Sequence, residues 1–178
     1  MSDLPSFIDT PATAKMQTNN LCLNNPPLRW HADKTVPCLG EVWVFGSNLA
    51  GRHGAGAAAV ARKKFGAVYG LGVGYQGLES AHCYAIPTKG EQLQTLPLDA
   101  ILYAVDEFLD FAHRMERFHF FVTRIGCGLA GHRDEDIAPM FVRAPMNRCS
   151  FPVNWMEIMG YAPHRASVGT GFEGCCHA

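Results

Sequence analysis

The chain has 178 residues, 48% of them hydrophobic, and a formal net charge of −1. Such a length and apolar share suit one domain with a sizeable core plus extensions. The near-neutral charge gives no general reason to bind nucleic acid, so any polyanion contact has to be local.

Residues 1–36 mix Pro5, Pro11, Pro26 and Pro27 with Asn19-Asn20 and Asn24-Asn25. This composition favours turns over long helices and is read as an irregular N-terminal extension. Met1 to Pro5 lacks the basic region and apolar core of a signal peptide. No uninterrupted apolar run approaches the roughly 20 residues needed to span a bilayer, so a cytoplasmic location without membrane association is expected. The seven cysteines are odd in number, scattered and without a C-x-x-C pair, which points to a reducing compartment. Cys22, His31 and Cys38 match the spacing of no zinc finger, and no metal or other cofactor is expected.

Val42 to Phe45 is a β-branched and aromatic run, suited to a strand buried on both faces. Gly46, Gly51, Gly54 and Gly56 break it. The alanine-rich run that follows to Phe65 predicts a helix, with Arg62-Lys63-Lys64 in its last turn and Gly66 placed to end it. A loop with so few β-carbons, leading into a helix N-terminus, presents backbone N–H donors to a phosphate or pyrophosphate. Gly72, Gly74 and Gly77 carry the letters of a dinucleotide fingerprint, but no helix follows. The segment is read as a loop or hairpin near the site, leading into a short strand at Cys83 to Pro87.

Leu98, Ile101, Leu102, Val105, Phe108, Leu109 and Ala112 recur at helical spacing, with Thr95 as the expected cap and Pro97 in the first turn. His119 to Thr123 predicts another buried strand. It runs into a second glycine-rich loop, Arg124 to Arg133, and an acidic helix start at Asp134-Glu135-Asp136, which Pro139 keeps short. Pro145, Pro152 and Trp155 suggest a wrapped segment packed on the sheet. Residues 164–178 are small and glycine-rich and are expected to form a disordered tail, leaving a domain at residues 37–163.

Strand, glycine loop and helix thus occur twice. In a parallel sheet the loops leaving the carboxyl ends of strands share one edge, where ligands of open α/β folds bind. Two such loops can wall one cleft.

In this order the features resemble the macro domain, the ADP-ribose-binding α/β module, in a divergent stand-alone form of the bacterial and phage type. Three stretches carry the resemblance: Val44-Phe45-Gly46-Ser47-Asn48 with His53-Gly54-Ala55-Gly56-Ala57-Ala58, then Tyr84-Ala85-Ile86-Pro87-Thr88-Lys89, then Thr123-Arg124-Ile125-Gly126-Cys127-Gly128-Leu129-Ala130-Gly131. It implies a three-layer α/β/α sandwich around a mixed, largely parallel sheet, with ADP-ribose or a related nucleotide diphosphate across the cleft. The implied ligand-binding residues are Gly46, Ser47, Asn48, Gly51, Gly54, Ala55, Gly56 and Ala57 on the first loop. On the second they are Gly126, Cys127, Gly128, Leu129, Ala130, Gly131 and His132.

The family usually has two asparagines at the end of its first loop strand, whereas this chain has Phe45-Gly46-Ser47-Asn48. Its adenine-reading aspartate has two conceivable counterparts, Asp33 and Glu41. If the cleft also hydrolyses an ADP-ribosyl bond or an ADP-ribose phosphoester, on an ADP-ribosylated macromolecule for example, Asn48 would orient ribose or water. His53 would move the proton, since histidine titrates near neutrality. Cys127 between two glycines reads better as a packing residue than as a nucleophile. The alternatives are a non-catalytic sensor or sequestering protein for a nucleotide signal, and a structural protein on a macro-like scaffold.

Overall fold

The computed structural model describes residues 30–38, 40–78 and 81–161. The expected tail at 164–178 and the first 29 residues of the expected extension lie outside them. Six strands form one sheet: β1 (Trp30–His31), β2 (Val42–Asn48), β3 (Gly74–Leu78), β4 (Ala81–Lys89), β5 (Phe120–Val122) and β6 (Cys149–Pro152). Their spatial order is β1-β6-β5-β2-β4-β3. Every neighbouring pair is parallel except β3 with β4, which is the hairpin that the glycine-rich segment predicted.

The central strand β2 explains the layering. Successive side chains leave a strand on opposite faces, and both faces of β2 are buried. Val42 and Val44 join Tyr84 and Ile86 under Ile101, Val105, Phe108 and Ala112 of α2 (Leu98–Arg114), with Phe141, Phe151 and Trp155 extending that core. Trp43 and Phe45 point the other way, toward Ala58 and Ala61 of α1 (Gly56–Lys64). Alanines there let the short helix lie close, and Trp43 fastens it. Its indole stacks on Phe65 and Phe121 at ring distances of 5.0 and 5.5 Å and donates to the Ala57 carbonyl at 3.1 Å. The fold is therefore a mixed, mostly parallel α/β sheet with helices packed on it.

Several local expectations need correction. Thr95 does not cap α2: Pro97 is the N-cap residue, without a side-chain cap bond, and the Thr95 hydroxyl donates instead to the Ala130 carbonyl at 2.9 Å. Leu98 and Leu102, assigned by spacing to the buried face of α2, are exposed while Ile101 between them is fully buried: Leu98 is the first helical residue, and Leu102 lies at the margin of the apolar stripe. The sheet also begins before residue 37, since Trp30–His31 pairs with Phe151–Pro152. Pro139 does keep the acidic helix short: α3 spans Asp134–Ile137 and tightens into a 3-10 turn at Ala138–Phe141. Among the described residues no helix is long and apolar enough to cross a membrane.

Candidate functional site

Strands β5, β2 and β4 are adjacent and parallel, so their carboxyl ends open on the same edge. The residues there are close-packed. A Cβ on Gly46 would stand 3.4 Å from the Gly126 amide nitrogen and 3.5 Å from Thr88 Oγ1, which shows how tightly the three strand ends meet. Further out the two glycine-rich loops approach each other again, since a Cβ on Gly56 would lie 3.8 Å from Cδ1 of Leu129. The loops predicted to wall one cleft are therefore neighbours.

The first loop, residues 49–55, is held by side chains that bond to backbone. Asn48 is nearly buried, and its carboxamide brackets Arg52, with Nδ2 donating to the Arg52 carbonyl and Oδ1 accepting from the Arg52 amide, both at 2.9 Å. Ser47 donates to the Gly72 carbonyl. His53, only 2% exposed, sets Nε2 at 3.1 Å from the Leu71 carbonyl and packs edge-on against Phe45 at 5.3 Å. A carbonyl can only accept, so Nε2 carries the proton and Nδ1 is the bare acceptor, with no partner among the described residues. Gln76 completes the bracing by donating to the Leu71 carbonyl at 2.9 Å and accepting from the Val68 amide at 2.8 Å. Two glycines are needed for close approach. Gly51, at φ +63°, lies against the backbone of Gly70 and Leu71, and Gly72 lies against the carbonyls of Asn48 and Leu49.

This bracing delivers the chain to α1 with its N-terminus open. Ala55 is the N-cap residue without a side-chain cap bond, and no acidic residue occupies the first turn. The leading amides of a helix have no intrahelical acceptor and carry the positive end of its dipole. Gly54, Ala55, Gly56 and Ala57, all placed here by the sequence, supply that surface.

The second loop is held differently. His132 returns its amide to the Gly126 carbonyl and sets Nε2 against the Leu96 carbonyl, at 3.0 and 3.1 Å. Gly131 closes a turn onto Gly128 at 3.0 Å. Behind the loop, Asp134 accepts three bonds from Arg124, two from Nε at 2.8 and 3.1 Å and one from Nη2 at 2.6 Å, with one from Trp155 Nε1 at 2.6 Å and one from Asn154 at 3.0 Å. The Arg124 bond, more than any other, holds the Asp134 carboxyl down to about 2, with the Trp155 donor adding to it. Cys127 donates to the Ile125 carbonyl at 3.3 Å, and burial with Asp134 nearby pushes its thiol well above the usual range. A thiol so held stays protonated at neutral pH and is a poor nucleophile.

Gly54 and Gly128 stand apart from the other glycines of the two loops. Neither has φ in the left-handed region, and nothing lies within 4 Å of where a Cβ would be. Their backbone does not require glycine. The missing side chains leave open space instead.

Of the two aspartate counterparts, Glu41 enters β2 at the opposite edge of the sheet, roughly 20 Å from Asn48 at the usual strand rise. It caps the Cys38 amide at 2.9 Å, and burial raises its carboxyl. Asp33 follows β1 on the cleft edge, close enough for its charge to be felt by Arg124. The residues that sequence reasoning left out of the site are Lys89, Thr95, Arg124 and Asp134. Lys89 ends β4 beside Asn48 and brings a half-buried cation to the same edge. In the sequence it stood only as the last residue of the Tyr84-Ala85-Ile86-Pro87-Thr88-Lys89 stretch.

No protein-family model and no curated protein matches the chain. Among solved structures it is similar to a protein of unknown function from Bacteroides thetaiotaomicron, at 19% sequence identity and a TM-score of 0.47, over 65% of this chain and 88% of that one.

Proposed function

We propose that the groove between the two glycine-rich loops binds ADP-ribose or a related nucleotide diphosphate, held at its pyrophosphate by main-chain amides. The observation that carries this reading is the pair Gly54 and Gly128, which keep space open on adjacent loops without any conformational need to be glycine. The uncapped N-terminus of α1 supports it, as does the half-buried Lys89 ammonium at the edge. Together they supply the positive potential that a diphosphate requires without a basic surface. The resemblance to macro domains points to the same ligand class.

Binding without turnover is the form that the side chains favour. The Asn48 carboxamide is saturated at both ends by Arg52, and His53 is buried beneath the loop on the Leu71 carbonyl. Asn48 has no free group, and the unpartnered His53 Nδ1 is shut off from solvent, whereas proton transfer needs hydrogen-bond reach to the reacting atom. The protein on this reading is a sensor or sequestering module for a nucleotide.

Calorimetry with ADP-ribose, ADP and inorganic pyrophosphate tests the proposal. ADP-ribose should give saturable heat, and Gly54→Val and Gly128→Val should each weaken it at least about 100-fold with an unchanged melting temperature, since each side chain enters ligand space only. Absence of heat with wild type, or full affinity in both variants, defeats the proposal. Gly126 is a poor target for this purpose. At φ +74°, with Ile137 Cδ1 3.4 Å from a Cβ, valine there would strain the backbone itself. Mass spectrometry of an ADP-ribosylated peptide should show no loss of the modification.

A further inference from the structure

One long stretch of this chain has no acidic residue. From Val42 to Leu78 the sequence carries Arg52, Arg62, Lys63 and Lys64 and not one aspartate or glutamate. That stretch contains the whole of α1 and the loop that follows it, on the face opposite α2. The α2 side mixes signs, with Asp99, Asp106, Glu107 and Asp110 accompanied by Arg114 and with Arg143 paired to Asp106. The α1 surface, by contrast, ends in three cations, Arg62, Lys63 and Lys64, with no acidic residue of its own.

That surface also displays an aromatic ring on a rigid mount. Tyr69 is 60% exposed, and the Arg62 guanidinium lies 5.2 Å from its ring centroid. The loop beneath is pinned on both sides of the tyrosine. The Val68 amide bonds to Gln76, and the Gly70 amide bonds to the Gly51 carbonyl at 3.0 Å. Arg62, Lys63 and Lys64 are all exposed, and none has a salt-bridge partner among the described residues.

We infer that the α1 face is a docking surface for single-stranded nucleic acid. The basic last turn of α1 neutralises successive phosphates, and Tyr69 stacks an unpaired base. A preorganised ring beside an arginine and flanked by lysines meets the two demands of such binding: a cationic track for the backbone and a flat apolar surface for a base. A duplex keeps its bases stacked and would leave Tyr69 unused. A membrane surface is the competing occupant, because Val68, Leu71 and Val73 are exposed beside Tyr69, and vesicles are therefore an arm of the test below. This surface is distinct from the groove and does not depend on the ligand assigned there.

Fluorescence anisotropy of a short labelled oligodeoxythymidine with the full chain tests the inference. Binding should weaken steeply with salt. The double variant Lys63→Gln/Lys64→Gln should bind about tenfold or more weakly with a shallower salt slope. Tyr69→Ala should bind roughly tenfold more weakly with the slope unchanged, and circular dichroism should confirm native helix content in both. Gly128→Val, aimed at the groove, should leave oligonucleotide affinity unaltered. Four results would overturn the inference: no binding at low salt, equal affinity in both surface variants, loss of binding in Gly128→Val, or equally tight and equally variant-sensitive binding of poly-glutamate or of phosphatidylserine-containing vesicles.

Discussion

The two glycine-rich loops lie side by side but are supported by different physics. The first is braced by neutral hydrogen bonds from Ser47, Asn48, His53 and Gln76 and by glycines packed against backbone. The second rests on a charged hub, Asp134, that gathers Arg124, Asn154 and Trp155. Neutral bracing of this kind is indifferent to salt and leaves no room where a glycine packs on backbone, as at Gly72. A charged hub answers to acid. The two loops are held still from behind by means that different perturbations can separate.

The largest break in that comparison comes from Gly72→Ala. The new methyl would collide with the backbone carbonyls of Asn48 and Leu49, neither of which can move without undoing the end of β2. A loss of roughly 4 kcal/mol in urea unfolding is expected, at the upper end for a single substitution. A loss below about 1 kcal/mol would mean that the first loop is looser than its packing implies.

Asp134→Ala should cost less, about 2 kcal/mol, because Arg124 and Asn154 can turn to water while the buried Trp155 indole loses its acceptor. Its pH dependence is the sharper test. The folded Asp134 pKa, about 2, lies below the ordinary aspartate value of 3.8, so its contribution is complete above about pH 4 and is lost as pH falls through about 2. A second step sits higher. His31 is stacked on Phe121 at 3.7 Å and hydrogen-bonded to Ser150, and burial lowers it from 6.5 to about 4. The unfolded chain therefore takes up that proton first, and stability falls between about pH 6.5 and 4. Urea midpoints across pH should show both steps in wild type and only the upper one in Asp134→Ala. An unchanged lower step would remove Asp134 from its assigned place.

What the sequence made legible follows from the range of the forces involved. β2, α1, α2 and β5 were readable because burial imposes a local pattern: a continuous apolar run for a strand covered on both faces, a three- and four-residue period for a helix on one. The two loops were readable because glycine marks them directly. β1 and β6 left no such trace. Trp30 and His31 are a strand only because Phe151 and Pro152 lie beside them, with Trp30 packed on Phe151 and Tyr161 at 6.3 and 5.3 Å. The supports of the second loop were hidden for the same reason. Asp134 is 21 positions from Trp155 and 10 from Arg124, and an acidic run before an apolar residue looks the same whether it opens a helix or anchors a loop. Thr95 shows how a local rule yields to a distant partner: its hydroxyl had a helix to cap and bonded to the second loop instead.

The smallest expected effect belongs to Leu129, whose side chain joins the two loops. It is 71% exposed, yet its Cδ1 reaches to within 3.8 Å of the Cβ position on Gly56 at the mouth of α1. Removing so exposed a side chain should change stability by less than about 0.5 kcal/mol. If the groove holds a diphosphate, Leu129 partly covers it, and Leu129→Ala should open an exit without touching the amides that bind. The expectation is a dissociation rate raised by about threefold, with an association rate unchanged, since related complexes differ mainly in how fast they come apart. Stopped-flow measurement with a fluorescent ADP-ribose analogue reads both rates. A slower dissociation in the variant, or a change confined to association, would show that the leucine does not span an occupied groove and that the two loops act on the ligand separately.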